Sequence, residues 1–64
     1  MLANVRTVFV IQERNSGLFL SEELHWVRSL RRAGRCDDYE AAVDTGRMNT
    51  DGEFDIHRLC ELID

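Results

Sequence analysis

An apolar run near the start of the chain constrains the fold more than any other feature of the sequence. Residues 5–12 read Val-Arg-Thr-Val-Phe-Val-Ile-Gln, and this mixture of β-branched and aromatic residues is typical of a β-strand. Successive side chains of a strand point to opposite faces, so Phe9 and Ile11 share one face while Val8 and Val10 share the other. Both faces of the sheet therefore need cover. One helical layer covers only one of them, so a partner chain or a C-terminal segment must cover the second.

A turn and a second strand follow. Residues 14–17 read Arg-Asn-Ser-Gly, and both Asn and Gly tolerate the positive φ angles that tight hairpin turns need. Residues 18–20, Leu-Phe-Leu, begin a second strand. The sequence does not determine whether this strand extends towards Trp26. The pattern predicts a β-hairpin.

Residues 26–36 have the spacing of a short helix. At about 100° per residue, Trp26, Leu30 and Ala33 fall on one side together with Gly34. The glycine makes this helix short and weak. Its opposite side carries four arginines: Arg28, Arg31, Arg32 and Arg35.

A second helix is predicted over residues 38–47. Asp37 and Glu40 have the spacing of a capping box, with Asp in place of the usual Ser or Thr. The apolar face of this helix carries Tyr39, Ala42, Val43 and Gly46. The opposite face carries Asp37, Glu40 and Asp44. An Asn-Thr-Asp-Gly turn over residues 49–52 ends the helix.

The last segment, residues 53–64, fits either one face of a strand or a helical stripe. The Asp51-Gly52 turn directly before it favours the start of a strand, at least through Phe54, Asp55 and Ile56. We therefore predict a strand here.

These elements predict an α+β fold with a small antiparallel sheet of about three strands, one short helix and one longer helix, in the order ββ(α)αβ. A chain of 64 residues forms a single domain and buries only about 60% of its unfolded surface. A dimer or a partner is a natural source of extra stability. The aromatic residues are expected in the core: Phe9, Phe19, Trp26 and Phe54.

Several classes of protein are excluded by the composition. No apolar run approaches the roughly 20 residues of a membrane helix, and Asn4 and Arg6 interrupt the start, so neither a membrane span nor a signal peptide is predicted. Two cysteines, Cys36 and Cys60, are too few for a disulfide framework, so we expect reduced thiols. We expect a cytoplasmic protein.

A longer pattern runs through most of the chain. It comprises Phe9-Val10-Ile11, Gly17-Leu18-Phe19-Leu20, Trp26, then Leu30, Ala33 and Cys36 at three-residue intervals, and Tyr39-Glu40 with Ala42. With this pattern, the chain resembles small accessory proteins of phages and prophages. It departs from their pattern at Val27, where Thr or Ser is common, and at Cys36, where an aromatic residue is usual.

The resemblance implies a ββαβ-like fold and a phage accessory role in the cytosol of a host cell. Most proteins of this kind have no assigned activity. Some small acidic ones inhibit host defence, including anti-CRISPR and anti-restriction proteins. The resemblance identifies no active site and no cofactor.

The charges of the chain are unevenly placed. Eight basic and twelve acidic residues give a net charge of −4. Residues 25–36 hold four arginines and no acid, whereas residues 37–64 hold nine acids and two arginines. The two regions therefore suggest two different binding surfaces.

The acidic region is the leading candidate site. Carboxylates held along a rigid surface can imitate phosphates and occupy a groove built for nucleic acid, and complementary charge speeds such an association. A solvated helix face with acids near its N-terminus is the structural alternative. The candidate partner-binding residues are Asp37, Asp38, Glu40, Asp44, Asp51, Glu53 and Asp55.

The arginine face, Arg28 to Arg35, is an alternative site for nucleic acid, because Arg binds phosphate through two hydrogen bonds. However, the chain as a whole is acidic, and no aromatic residue lies between these arginines to stack on bases. Pairing of the arginines with nearby acids such as Glu22 and Glu23 is the simpler interpretation. A structural homodimer, in which this face meets the acidic region of a second copy, is a third possibility.

Metal binding and catalysis have weaker signals. His57 and Cys60 have ligand-like spacing, and His25 with Cys36 could complete a zinc site, but buried free thiols are common, so no metal is predicted. Residues 49–52 resemble part of a calcium loop, yet arginines occupy two slots that require carboxylates.

A Cys–His pair would need an orienting third group and an oxyanion hole, and neither is recognisable in the sequence. No phosphate-binding glycine loop and no hydrolase motif is present. We therefore expect a protein that is not an enzyme and that needs no cofactor.

Overall fold

The computed structural model describes residues 4–63. It forms a four-stranded antiparallel sheet, in the order β3-β2-β1-β4, with one α-helix packed on it. The strands are β1 (Asn4–Glu13), β2 (Phe19–Leu20), β3 (Trp26–Val27) and β4 (Phe54–Ile63), and the helices are a 3₁₀ helix (Leu30–Arg32) and α1 (Tyr39–Asn49). The predicted small α+β fold is confirmed, with one strand more and one α-helix fewer than expected.

The two long strands, β1 and β4, make up most of the sheet. β1 and β4 are each ten residues long, and they pair without interruption from Asn4↔Ile63 to Glu13↔Phe54. The predicted C-terminal strand is therefore confirmed. It extends the sheet along the edge of β1.

The predicted hairpin is also confirmed. The backbone N–H of Glu13 donates to Leu18 O at 2.8 Å, and Gly17 adopts a φ of +75° in the turn. The Glu13 carboxylate accepts hydrogen bonds from the backbone N–H groups of Asn15 and Ser16, which hold the turn closed. A hydrogen bond from the Ser16 side chain, followed by those from the backbone N–H groups of Asn15 and Ser16, lowers the pKa of Glu13.

The helix predicted over residues 26–36 is wrong. Trp26 and Val27 form β3 instead, and the helical spacing that follows produces only one 3₁₀ turn, capped by the Ser29 hydroxyl. The backbone of Cys36 exchanges two hydrogen bonds with Phe9, at 2.8 and 2.9 Å. Long-range backbone hydrogen bonds thus outweigh a weak helical propensity, because Gly34 would have cost about 1 kcal/mol in a helix.

The sheet is buried on both faces, as the sequence predicted, but the cover differs. On one face, α1 packs over a core of Ile11, Leu20 and Ala42. On the other face, Val8 and Val10 are fully buried. Leu30 and Arg35, from the segment between β3 and α1, lie against this second face, so the chain itself supplies cover that we assigned to a partner or a C-terminal segment.

Two side chains of this loop reach across the second face. Leu30 lines one shallow depression together with Phe19 and Leu59. The Arg35 guanidinium donates to the Glu61 carboxylate of β4 at 3.0 Å and to the backbone carbonyl of Leu30 at 2.8 Å. The loop is therefore fastened to both the sheet and its own 3₁₀ turn.

Helix α1 begins one residue later than predicted. Asp38 is the N-cap, and its carboxylate accepts a hydrogen bond from Ala41 N at 3.1 Å. The predicted capping box between Asp37 and Glu40 is therefore wrong, because Ala41 occupies the position where the second box residue would lie. The apolar face is largely confirmed, since Ala42 and Gly46 are buried.

Not all aromatic residues lie in the core. Phe9 and Phe54 pack against the buried cluster beneath α1, and Tyr39 meets Phe9 edge-to-face with ring centroids 5.6 Å apart. Trp26, which the sequence places in the core, is 37% exposed at the edge of the sheet.

Candidate functional site

Six exposed carboxylates surround helix α1, and we call them the acidic surface. Glu40 and Asp44 lie one turn apart on the side of the helix that faces away from Ala42 and Gly46. Two further carboxylates precede the helix and two follow it. The acidic surface comprises Asp37, Asp38, Glu40, Asp44, Asp51 and Glu53.

The acidic surface makes no ion pair within residues 4–63. The three ion pairs of this region are Arg6–Glu61, Arg14–Asp55 and Arg35–Glu61. One arginine, Arg47, lies between the carboxylates, so residues 37–53 carry six negative charges and one positive charge, a net of −5. The field of this side of the molecule is therefore strongly negative.

Part of this charge has a structural role. The Asp38 carboxylate is the helix cap, and Asp37 and Glu40 lie close to the helix N-terminus, where negative charge is favourable by about 0.3–1 kcal/mol per side chain. Asp44, Asp51 and Glu53 lie away from this end. Helix stabilisation thus accounts for only half of the acidic surface.

Asp55 does not belong to the acidic surface, contrary to our prediction. It pairs with Gln12 in the β1–β4 ladder and so lies on the face of the sheet opposite to α1. The Arg14 guanidinium binds its two carboxylate oxygens at 2.9 and 3.5 Å. This hydrogen-bonded contact, together with the charge of Arg14, lowers the pKa of Asp55.

Acid should destabilise the fold by protonating the Asp55 carboxylate. A carboxyl whose pKa is lower in the folded than in the unfolded state stabilises the fold above the unfolded value, and loses this effect as pH falls through the folded value. The ordinary pKa of Asp55 is 3.8, so the loss is expected below about pH 4. Thermal unfolding between pH 5 and about pH 2 should show a shallower decline for Asp55→Asn than for the native chain, and an identical decline would contradict the role of Arg14.

The four arginines of the alternative site do not form a helical face. Arg35 is bound to Glu61 and to the carbonyl oxygens of Leu30 and Ala33. Arg31 and Arg32 are exposed. They line a shallow cavity of about 500 Å³ that also contains Glu22 and Glu23. Nearby acids therefore offset part of their charge. The fourth member, Arg28, is exposed in the bend after β3.

The candidate zinc ligands are not brought together. His57 and Cys60 are three residues apart in β4, so they lie on opposite faces of the strand, and the His57 ring is hydrogen-bonded to Gln12 at 2.7 Å. Residues 4–63 contain no group of three His, Cys, Asp or Glu side chains arranged for a metal. Burial, and then the negative charge of Asp37, raises the pKa of the Cys36 thiol, which disfavours the thiolate needed for nucleophilic chemistry.

One concave feature adjoins the acidic surface and was not predicted. Trp26 and Leu18 line a shallow cavity of about 370 Å³ next to the C-terminal end of α1, and the acidic residues Glu13 and Asp51 also line it. The signal in the sequence was an isolated tryptophan. The incorrect helix placed it in the core, and only its position in the edge strand β3 brings it to the surface.

Comparison with protein-family models, with curated proteins and with solved structures finds no match for this chain. The resemblance to phage accessory proteins therefore stays a prediction. Within the described part of the chain, no helix is long and apolar enough to cross a membrane.

Proposed function

We propose that this chain is a non-catalytic inhibitor that binds a nucleic-acid-handling protein, such as a CRISPR or restriction component, through its acidic surface. The observation that carries the proposal is the array of six exposed carboxylates on and around one helix, none of which forms an ion pair with another of residues 4–63. A protein that handles nucleic acid presents the matching surface, a groove lined with Lys and Arg.

The density of charge supports mimicry of a polyanion. Helix α1 has 11 residues and is about 16 Å long, a length over which one DNA strand carries about five phosphates. Two carboxylates lie on this helix and four lie beside it, so the acidic surface carries a similar number of negative charges over a somewhat longer stretch of chain. The helix is anchored through Ala42 and Gly46, so its charges are held in place before binding and little conformational entropy is lost.

The cavity at Trp26 adds an anchoring point beside the acidic surface. An exposed indole attracts a guanidinium or ammonium group by about 0.5–1 kcal/mol, and Glu13 and Asp51 line the same cavity. An Arg or Lys side chain from the partner's groove suits this combination of aromatic ring and carboxylates.

The resemblance to small phage proteins supports the narrower part of the proposal, namely that the partner belongs to a host defence system. The acidic surface itself supports only the broader statement that the partner is basic. The two parts are therefore tested in sequence, first by identifying the partner and then by measuring competition with nucleic acid.

Reversing two charges of α1 should abolish binding. In Glu40→Lys/Asp44→Lys, two attractive contacts become repulsive, so we expect the dissociation constant to rise at least about hundredfold. Affinity purification from host lysate with mass spectrometry identifies the partner. Isothermal titration calorimetry then measures its affinity for the native chain and the variant. The native chain should also displace duplex DNA or RNA from the partner, and increasingly weakly as the salt concentration rises.

The matched control is Glu22→Lys/Glu23→Lys. It makes the same change in net charge, from −4 to 0, but on the surface shared with Arg31 and Arg32. It should bind the partner about as tightly as the native chain, and both variants should keep the circular dichroism spectrum. Equal weakening by the two variants would reduce the effect to net charge alone. A native chain that itself retains DNA in a low-salt gel shift would favour the arginine site instead.

A further inference from the structure

Strand β4 is an exposed edge of the sheet. It is ten residues long and pairs with β1 on one side. On its other side, none of residues 4–63 forms a further strand, because β4 is the last strand of the sheet. A long edge of this kind is a template for pairing with another strand, and natural edges are usually protected by charge, proline or a bulge.

The register shows which backbone groups of β4 face outward. The Arg14 N–H donates to Glu53 O at 2.9 Å, in the step that continues the β1–β4 ladder. Hydrogen-bonded and non-hydrogen-bonded pairs alternate in an antiparallel ladder. Odd-numbered residues of β4 therefore bond to β1, and even-numbered residues point their N–H and C=O groups to the free edge. The outward residues are Phe54, Ile56, Arg58, Cys60 and Leu62.

We propose that two copies of this chain pair through their free β4 edges, antiparallel, about a two-fold axis at Leu59. In this register Ile56 lies opposite Leu62 of the second copy, and His57 lies opposite Glu61 of the second copy. Arg58 lies opposite Cys60 of the second copy, and the two Leu59 side chains meet on the axis. A two-fold interface of this kind contacts itself through identical surfaces.

The neighbouring registers are less favourable. An axis at Arg58 places two arginines directly opposite each other, and an axis at Glu61 does the same with two carboxylates; like charges in such positions are destabilising. An axis at Cys60 places Leu59 opposite Glu61 and Arg58 opposite Leu62. Among these four axes, only the one at Leu59 avoids like-charge pairs and also places Ile56 opposite Leu62.

The exposure of apolar side chains points to the same surface. Leu62 is 75% exposed, and its cross-strand neighbour Val5 is 61% exposed. Pairing at the Leu59 axis places Leu62 beside Ile56 of the second copy, next to the core under α1. In the Leu59 register no carboxylate of β4 lies opposite another carboxylate, and Asp55 and Glu61 are each paired with an arginine of their own chain.

Disulfide trapping tests the register directly. Residues opposite each other in a non-hydrogen-bonded pair have Cα atoms about 4.5 Å apart, which is within the range of a disulfide. In a chain with Cys36→Ala and Cys60→Ala, the variant Leu59→Cys should form a covalent dimer as the main product in a glutathione buffer. Arg58→Cys in the same background, and Cys60 alone in a Cys36→Ala chain, should remain largely monomeric under denaturing conditions.

A proline variant tests the edge without touching the β1–β4 ladder. The N–H of Arg58 points to the free edge, so Arg58→Pro removes no hydrogen bond to β1 but blocks two hydrogen bonds of the dimer. Sedimentation equilibrium should show a dimer for the native chain and for the control Arg58→Ala. For Arg58→Pro, the dissociation constant of the dimer should be at least about tenfold higher.

Three results would contradict the proposed β4 dimer or its register. A native chain that is monomeric at sub-millimolar concentration would overturn the proposal. Preferential trapping of Cys60 or of Arg58→Cys would overturn the register. A dimer that survives Arg58→Pro, with a native circular dichroism spectrum and no trapping at Leu59→Cys, would place the interface elsewhere on the molecule.

Discussion

Replacing Gly46 by alanine is expected to lower the free energy of unfolding by up to about 2 kcal/mol, although helix propensity alone favours alanine by about 1 kcal/mol. A Cβ atom at this position of α1 would lie 2.7 Å from Cδ2 and Cζ of the Phe54 ring. Contacts this short force the ring to move, and overpacking of this kind typically costs 1–3 kcal/mol. The melting temperature should fall by roughly 4–8 °C per kcal/mol in a domain of this size.

A double-mutant cycle separates the two effects. Phe54→Leu should destabilise the native chain, because it removes part of the core, but it should destabilise Gly46→Ala less, because the clash is then relieved. The cycle should give a coupling energy of about 1 kcal/mol or more, as expected for residues in direct contact. Thermal and urea unfolding provide the measurement. A Gly46→Ala chain that is more stable than the native chain would show that the Phe54 ring does not lie against the helix.

Replacing Arg35 by alanine is expected to destabilise the chain by about 2 kcal/mol, in line with the loss of a charge-assisted hydrogen bond. The ion pair between Arg35 and Glu61 is mostly shielded, with side chains 22% and 29% exposed. The same guanidinium holds the carbonyl of Leu30. Its loss should loosen the loop, because the same guanidinium joins the loop to Glu61 of β4.

Arg32 is the matched control for this prediction. It belongs to the same group of four arginines, but it is exposed and makes no ion pair among residues 4–63. Arg32→Ala should change the free energy of unfolding by less than about 0.5 kcal/mol. Arg35→Lys should recover only part of the loss, because a lysine cannot reach the carboxylate and the carbonyl with a planar fork. Equal effects of Arg32→Ala and Arg35→Ala would contradict the anchoring role of Arg35.

The strands were predictable because their signals are local. The β-branched run of β1 and the turn Asn15-Ser16-Gly17 determine a hairpin from a few adjacent residues. The Asp-Gly turn before Phe54 likewise favoured a strand over a helix for the last segment, and β4 confirms this. In each case the backbone conformation suggested by the nearby residues is also the one that the sheet requires.

The segment between β2 and α1 was not predictable in the same way. Its spacing fits a helix, but the N–H of Gly34 donates to Leu20 O and the backbone of Cys36 bonds to Phe9. These partners are distant in sequence, and no periodicity reports them. The conformation of this segment also determines where the four arginine side chains lie. In the extended loop Arg35 binds Glu61, whereas a helix would have placed all four arginines on one face.

The candidate site was partly predictable. Glu40 and Asp44 lie on the exposed side of α1 because the helical period of residues 38–47 is strong and the apolar face is continuous. Asp55 was assigned to the same surface because it is close in sequence to Asp51 and Glu53. A strand alternates its side chains between two faces, and the pairing of Asp55 with Gln12 turns it away from α1.

The sequence by itself determined the strands of the hairpin, the position and polarity of the acidic helix, and the excess of negative charge in the second half of the chain. These properties depend on neighbouring residues and on a regular period. Only the tertiary structure decided which arginine is bound, which carboxylates remain free, where Trp26 emerges and which edge of the sheet stays open. Those outcomes depend on hydrogen bonds and packing between residues far apart in the chain. A local sequence pattern does not show which distant residues will form hydrogen bonds with a given segment of backbone.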